Sequence, residues 1–336
     1  MTLAISVLDG DRLALARLLT QVENNHPDGL AALDQLYPYT GKAHLVGVTG
    51  APGTGKSSLV NQLALYYRRR DQPPRVGVLA VDPSSPFSGG AILGDRVRMR
   101  DLAGDQGIFI RSMASRGSLG GLAAATSNLA QVLDAAGYEI IFIETVGAGQ
   151  AEVDIARHAH TTLVVETPGF GDDIQAIKAG ILEVADIIVL NKADRPGVEN
   201  TERVLRGMLQ LASVEQPVDY LGHHATGEEG QTLVKQKSSA WEIGIARTVA
   251  TEGQGIGELA GMIDQHRQYL KASGVWQQRE RQRIQAELDA LIHANLLARW
   301  RKHISEERYQ QALNSLVKRE HSPIQVAKAL LDGDEI

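Results

Sequence analysis

The stretch HLVGVTGAPGTGKSS, residues 44–58, decides the fold. A short run rich in valine and leucine leads into a glycine-bearing loop. The loop opens directly onto SLVNQLALYYRR, where Leu59, Leu63, Tyr66 and Tyr67 recur at helical spacing. Gly50-Ala51-Pro52-Gly53-Thr54-Gly55-Lys56-Ser57 is therefore a complete G-x-x-x-x-G-K-S in the strand, loop, helix context that gives the motif its meaning. Glycines let main-chain N–H groups turn inward around phosphate oxygens, and the start of the helix adds the positive end of its dipole. Lys56 is expected to reach the β- and γ-phosphates and Ser57 to ligate Mg2+, with Ser58 completing the nucleotide-binding stretch.

Outward from this loop, similar apolar runs recur: RVGVLAVD (75–82), GIFIRS (107–112), EIIFIETV (139–146), TTLVVET (161–167), DIIVLNK (186–192) and a weaker IGIARTVA (243–250). Runs that are apolar on both faces and separated by helix-length segments predict a mostly parallel sheet covered on both sides, the doubly wound α/β class. Before the first strand, Leu13, Leu15, Ala16, Leu18 and Leu19 follow Asp9 and Asp11 at helical spacing and predict an amphipathic helix within an N-terminal helical arm, 1–40. Residues 195–240 carry a helix-like part from Thr201 to Ala212 and then a loop, which reads as an insertion. The phosphate-loop domain is assigned to 41–270. After Trp276 only helical patterns remain: Ile284, Leu288, Leu291 and Ile292, then Tyr309, Leu313, Leu316 and Val317, then Ile324, Ala327 and Leu330. This tail, 271–336, reads either as a cap over the sheet or as a partner or dimer surface.

The 336 residues include 43% apolar and 22% charged side chains, which exclude wholesale disorder and a fibrous architecture. A net charge of -6, from 34 basic and 40 acidic residues, gives no overall attraction to nucleic acid or to an anionic membrane. With no cysteine, disulfides, thiolate metal sites and cysteine nucleophiles are impossible, so any metal is held by oxygen or imidazole. The first residues lack the basic and long apolar regions of a secretory signal, and no run approaches the roughly 18 apolar residues of a membrane span. A cytoplasmic protein is expected.

Two further motifs bear on the chemistry. Asn191-Lys192-Ala193-Asp194, an N-K-x-D, follows Lys56 by about 135 residues (191 minus 56) at the end of a predicted buried strand. A carboxylate there can accept from guanine N1–H and from its exocyclic amino group, a donor pair that adenine lacks, and a mismatched base would leave polar groups unpaired. Thr248-Val249-Ala250 occupies the place of the loop that backs the guanine, with Val249 where serine is common. Asp82, Asp95 and Glu144 all approach the phosphate edge of a parallel sheet, where hard oxygen ligands suit Mg2+. Glu144-Thr145-Val146-Gly147 fills the place of a D-x-x-G, whose glycine contacts the γ-phosphate. Ala148 then stands where many GTPases carry a water-orienting glutamine, which predicts slow intrinsic hydrolysis. Arg96 and Arg98 are candidates to stabilise transition-state charge, although such arginines are more often solvated, and Gln150 is not assigned a catalytic role. Gly89-Gly90 and Gly120-Gly121 read as switch loops or simple turns, and 167–173 with Lys178 as a third polar, glycine-rich segment.

The blocks VTGAPGTGKSSL, VDPSSPFSGGAILGDRVRM, SRGSLGGLA, ETVGAGQAEVDIARHA, ETPGFGDDIQAIKAGILEVADI and NKAD together closely resemble the MeaB/ArgK family of GTPases. The resemblance runs from the N-terminal arm to the tail. It implies a homodimeric GTPase using GTP/GDP and Mg2+, which gates adenosylcobalamin delivery from an adenosyltransferase to an acyl-CoA mutase and protects or reactivates that mutase. The mutase in turn is expected to accelerate hydrolysis. By motif, Asp82, Asp95 and Glu144 match the family's Mg2+ and switch carboxylates. Gly169, Asp172, Asp173 and Lys178 fall in its third switch, and the tail matches its dimerisation region. Phe87, Ala148, Ala151 and Val249 depart from the family pattern and bear on rate and partner coupling. Two other readings of the fold class are weighed against this one. A nickel-inserting GTPase predicts a His-rich tract or a cysteine site, whereas the ten histidines are scattered, with His158, His160, His223 and His224 in short pairs. A small-molecule kinase predicts a lid and a phosphoacceptor pocket, and the placement of N-K-x-D argues against it.

Overall fold

A computed structural model describes residues 2–83, 102, 104–115, 119–145, 159–169, 184–215 and 241–332, with the main chain alone at 82–83, 114–115, 119–123 and 212–215. The seven apolar runs form seven strands: β1 His44–Thr49, β2 Val76–Pro83, β3 Ile108–Ser115, β4 Ile140–Glu144, β5 Thr161–Glu166, β6 Ile187–Asn191 and β7 Gly244–Thr248. They lie side by side in the order β3-β2-β4-β1-β5-β6-β7. Every pairing is parallel.

Both faces of the sheet are covered, which is why the strands read as continuous apolar runs. Alternate side chains point to opposite faces. Ile141 and Ile143 join one core cluster, with Leu15, Leu18, Leu19 and Val22 of helix α2 (Arg12–Glu23) and Leu129 and Leu133 of α5 (Leu119–Ala135). Ile140 and Phe142 join the other, with Leu59 and Leu63 of α4 (Lys56–Arg68) and Leu259 and Ile263 of α7 (Ile256–Ser273). Helices α1 (Leu3–Leu8) and α3 (Pro27–Leu36) complete the first layer. Asp11 caps α2 by accepting from the amides of Leu13 (2.8 Å) and Ala14 (3.1 Å), which satisfies donors the helix itself leaves open.

Two differences from the sequence reading have local causes. Gly120-Gly121 lies in the first turn of α5 and not in a turn between elements; the buried Leu129, Val132 and Leu133 that follow outweigh the glycine cost of about 1 kcal/mol each. Helix α6 (Val198–Glu215) starts three residues before Thr201, because Gly197 at φ 91° ends the preceding turn and Glu199 fits the first helical turn. The chain forms two compact units, 1–280 and 281–336. Helix α8 (Val275–His303) begins in the first. The second contains the rest of α8 with α9 (Glu306–Val317) and α10 (Pro323–Asp332), around an apolar groove of about 650 Å³ lined by Leu296, Trp300, Tyr309, Leu313, Val326 and Leu330.

Candidate nucleotide site

From β1 the chain moves to β2 on one side of the sheet, whereas from β4 it crosses β1 to reach β5 on the other. Connections that leave in opposite directions open a crevice beyond the C-terminal strand ends, where ligands of open α/β sheets bind. The 50–57 loop follows β1 at this crevice. Gly50 adopts φ 138°, and a Cβ there would stand 2.2 Å from the carbonyl oxygen of Val165 on the neighbouring strand. Gly55 adopts φ 94° immediately before α4, and a Cβ would stand 2.4 Å from Asn191 Nδ2. Glycine is demanded at both places by backbone and neighbour together. Lys56 is only 6% exposed, and its Nζ donates to the carbonyls of Gly50 (2.7 Å) and Ala51 (3.0 Å). Its cation is thereby kept inside the loop at the helix start. Ser57 Oγ donates to Glu144 Oε1 at 2.6 Å, which joins the phosphate-loop helix to the end of β4. Glu144 is buried, and the next residue, Thr145, donates from its amide to Val48 O (3.0 Å) and from its hydroxyl to Thr49 Oγ1 (3.2 Å).

The N-K-x-D segment is fastened to the same loop. Asn191 Nδ2 donates to Thr54 O at 2.8 Å, while Asn191 Oδ1 accepts from Thr248 Oγ1 and from the Ala250 amide, both at 3.1 Å. Lys192, held at φ 56°, donates from Nζ to Gly53 O at 2.7 Å. Ala193 N donates to Thr248 O at 3.0 Å. Three segments distant in sequence, 50–57, 191–194 and 248–250, thus converge. Asp194 is exposed on this assembly. The 248–250 segment is held by residues that sequence reasoning missed: the Val249 amide donates to Gln254 O (3.1 Å), and Gly255 at φ 72° permits the return, since a Cβ there would lie 2.0 Å from Arg247 O. The signal was present in the glycine-rich TEGQG, 251–255.

Gly169 is exposed, with φ 102°, just beyond β5 and the buried Thr167. The side chain of Asp82 and residues Asp95, Arg96, Arg98, Gly147, Ala148, Gln150, Asp172, Asp173 and Lys178 lie outside the described residues, as do Phe87, Gly89-Gly90, Ala151, His158, His223 and His224. His160 is buried in the core. Among the described residues no group of three or more histidines and carboxylates could hold a metal. The paired Ser57 hydroxyl and Glu144 carboxylate are hard oxygens at a phosphate loop, and such a donor pair fits Mg2+.

A parallel sheet with this loop at its crevice and this brace beside it defines a P-loop nucleotide-binding protein. Comparison with known proteins narrows the class. Residues 15–305 match the family model described as Methylmalonyl Co-A mutase-associated GTPase MeaB. A homologue from Pyrococcus abyssi is 41% identical over 96% of this chain and 93% of its own. The GTPase ArgK of Escherichia coli is 37% identical over 84% of this chain and 82% of its own. The mouse methylmalonic aciduria type A homolog is 30% identical over 89% of this chain and 70% of its own. The crystal structure of a LAO/AO transport system kinase superposes with a TM-score of 0.69 at 28% identity, covering 98% of this chain and 95% of that one. The chain belongs to the MeaB family of GTPases.

Proposed function

We propose that this protein is a GTP-hydrolysing chaperone of an adenosylcobalamin-dependent acyl-CoA mutase. It gates delivery of the cobalamin from an adenosyltransferase and protects or reactivates the mutase. The observation that carries the reading is the brace through Asn191, which ties the N-K-x-D segment to the phosphate loop; the family's name supplies the mutase.

In this reading the 50–58 loop surrounds the phosphates with its main-chain N–H groups, Pro52 alone having none to give, Lys56 exchanges its loop carbonyls for β- and γ-phosphate oxygens, and Gly147 contacts the γ-phosphate. Asp194 accepts from the guanine edge, with Thr248, Val249 and Ala250 behind the ring. Water adds to the γ-phosphorus as the bond to the β,γ-bridging oxygen breaks, giving GDP and phosphate. Positioning and charge stabilisation supply most of the acceleration in such transfers. Ser57 and Glu144, joined by Asp82 and Asp95, would hold Mg2+, which when bound neutralises charge building on the phosphates. Ala148 leaves the attacking water without a glutamine partner from that position, so turnover is slow until the mutase supplies alignment. Arg98 and the third switch, Gly169, Asp172, Asp173 and Lys178, lie on the partner-sensing side of this account.

Residues 1–40 form the N-terminal arm, 41–270 the GTPase domain and 271–336 the region through which two copies pair in the cytoplasm. Support for the pairing comes from α8, where Leu288, Leu291, Leu296 and Leu297 are 48–64% exposed. Apolar surface of that extent on a soluble helix marks an interface. No described helix is long and apolar enough to cross a membrane.

The test is phosphate release from GTP and from ATP, each with and without a methylmalonyl-CoA mutase. GTP turnover that is slow alone, rises with the mutase and disappears in Lys56→Ala is expected. ATP preference, or indifference to cobalamin-dependent mutases, contradicts the reading.

A further inference from the structure

At the sheet edge remote from the phosphate loop, the feet of β1, β5 and β6 enclose a polar cluster that the nucleotide chemistry does not use. His44 opens β1, Thr161 opens β5, and Asp186 immediately precedes β6; all three are buried, as is His266 of α7. Thr161 Oγ1 lies 2.7 Å from His44 Nε2 and 2.8 Å from His266 Nδ1. A hydroxyl carries one hydrogen, so it donates to one ring and accepts from the other.

The carboxylate decides which. His266 Nε2 lies 3.4 Å from Asp186 Oδ1 without completing a hydrogen bond to it. A ring lone pair that close to a carboxylate would be repelled, so the ring hydrogen is assigned to Nε2, which leaves His266 Nδ1 as the acceptor. Thr161 therefore donates to His266 and accepts from His44 Nε2–H. The remaining nitrogen, His44 Nδ1, is then a bare lone pair, in agreement with its burial without a hydrogen-bond partner. Both rings are neutral and carry their hydrogen on Nε2.

The same aspartate grips the first turns of α8. Arg279 donates to both Asp186 oxygens, at 2.9 and 2.7 Å, and to the carbonyl of His160 at 2.5 Å. Trp276 stacks on the His160 ring at 3.9 Å. His160 Nδ1 accepts from the Leu45 amide (3.0 Å), and its Nε2 faces Glu280 at 3.0 Å.

We propose that this cluster is a proton-sensitive latch. With the His44 and His266 rings neutral it holds the root of α8, residues 275–280, against the feet of β1, β5 and β6, and a proton added to either ring releases that root.

The release follows from what each proton meets. On the His44 ring it would be opposed by the positive charges of Arg267 and Lys271 of α7 and by His160 ahead of β5. Burial first, then His160, Arg267, His266 and Lys271, hold this imidazole well below its ordinary 6.5. On His266 Nδ1 a proton would displace the hydrogen that Thr161 donates and strand the hydroxyl in the core. Burial pushes His266 down to about 4, with Asp186 opposing and Arg279 reinforcing the shift; Tyr269 stacks beside it on α7. A depressed imidazole binds fewer protons when the latch is closed than when it is open. The closed state is thus fully favoured above pH 6.5 and loses that advantage as pH falls toward 4.

Hydrogen exchange at the amides of 276–280 in the full chain reads the latch directly. Protection is expected to fall at least about tenfold between pH 7 and pH 5 after correction for intrinsic exchange, from the His266 shift alone. In His266→Gln the fall should be much smaller, while His293→Gln, at an exposed histidine further along α8, should leave it unchanged. An identical fall in His266→Gln overturns the proposal. If that variant does not fold, ring 15N spectra of the wild-type protein at pH 7 decide alone: two neutral Nε2–H tautomers support the latch, and a charged or Nδ1–H ring at either position overturns it.

Discussion

At the scale of the residue, Asn191 joins the three segments of the nucleotide site. Its amide uses both ends, donating to the carbonyl of Thr54 and accepting from Thr248 and Ala250, all in the buried interior. Truncation leaves the Ala250 amide without its acceptor, and an orphaned buried donor costs about 1–3 kcal/mol. Asn191→Ala is therefore expected to lower the urea midpoint by a corresponding amount and to weaken GTP and GDP alike, because it loosens the brace and touches neither ligand's phosphates selectively. Parallel titrations of the two nucleotides check this: selective loss of GTP would contradict it. Lys192 at φ 56° belongs to the same brace, and the strain of that backbone is held by its bond to Gly53 O.

At the scale of the element, the join between the N-terminal helices and β1 depends on one side chain. Asp134, near the end of α5, accepts from the amides of Gly41 (2.5 Å), Lys42 (3.2 Å) and Ala43 (3.0 Å) just before β1 begins. Three successive amides around one carboxylate form an anion-holding nest. Asp134→Ala should cost about 1–3 kcal/mol in urea unfolding and leave GTP affinity unchanged, since the nest is at the sheet edge away from the phosphate loop. Equal stability in the variant would show that the nest contributes nothing. Such joins explain what the sequence conveyed and what it withheld. All seven strands were legible because burial on both faces writes itself as a continuous apolar run, and the phosphate loop because its glycines answer a local backbone demand. Asp134 meets residues about 92 positions away, and His44 meets Thr161 117 positions away. Neither leaves a local trace. Gly120-Gly121 misled in the opposite direction: the pair looks like a turn, yet the apolar face behind it carries a helix through.

At the scale of the whole molecule, the proposed pairing of two copies makes the exposed leucines of α8 the face to test. Leu291→Glu places a charge in a face that pairing would bury, so sedimentation should report a dimer for the wild-type chain and a monomer for the variant, with secondary structure retained. A dimer unchanged in mass would remove α8 from the interface. Beneath the proposed function lies the claim that Asp194 selects guanine on a phosphate loop gripped by Lys56. Calorimetric titration of the full chain with GTP, ATP and xanthosine triphosphate, in wild-type and Asp194→Asn proteins, tests it most directly. The wild-type chain should bind GTP at least about 100-fold more tightly than ATP, the scale set by leaving polar groups unpaired against the wrong base. Asp194→Asn should reverse the preference toward xanthosine triphosphate, whose 2-oxo group accepts where guanine's amino group donates. Equal affinity of the wild-type chain for ATP and GTP, or a variant that keeps its full preference for GTP, would contradict the account.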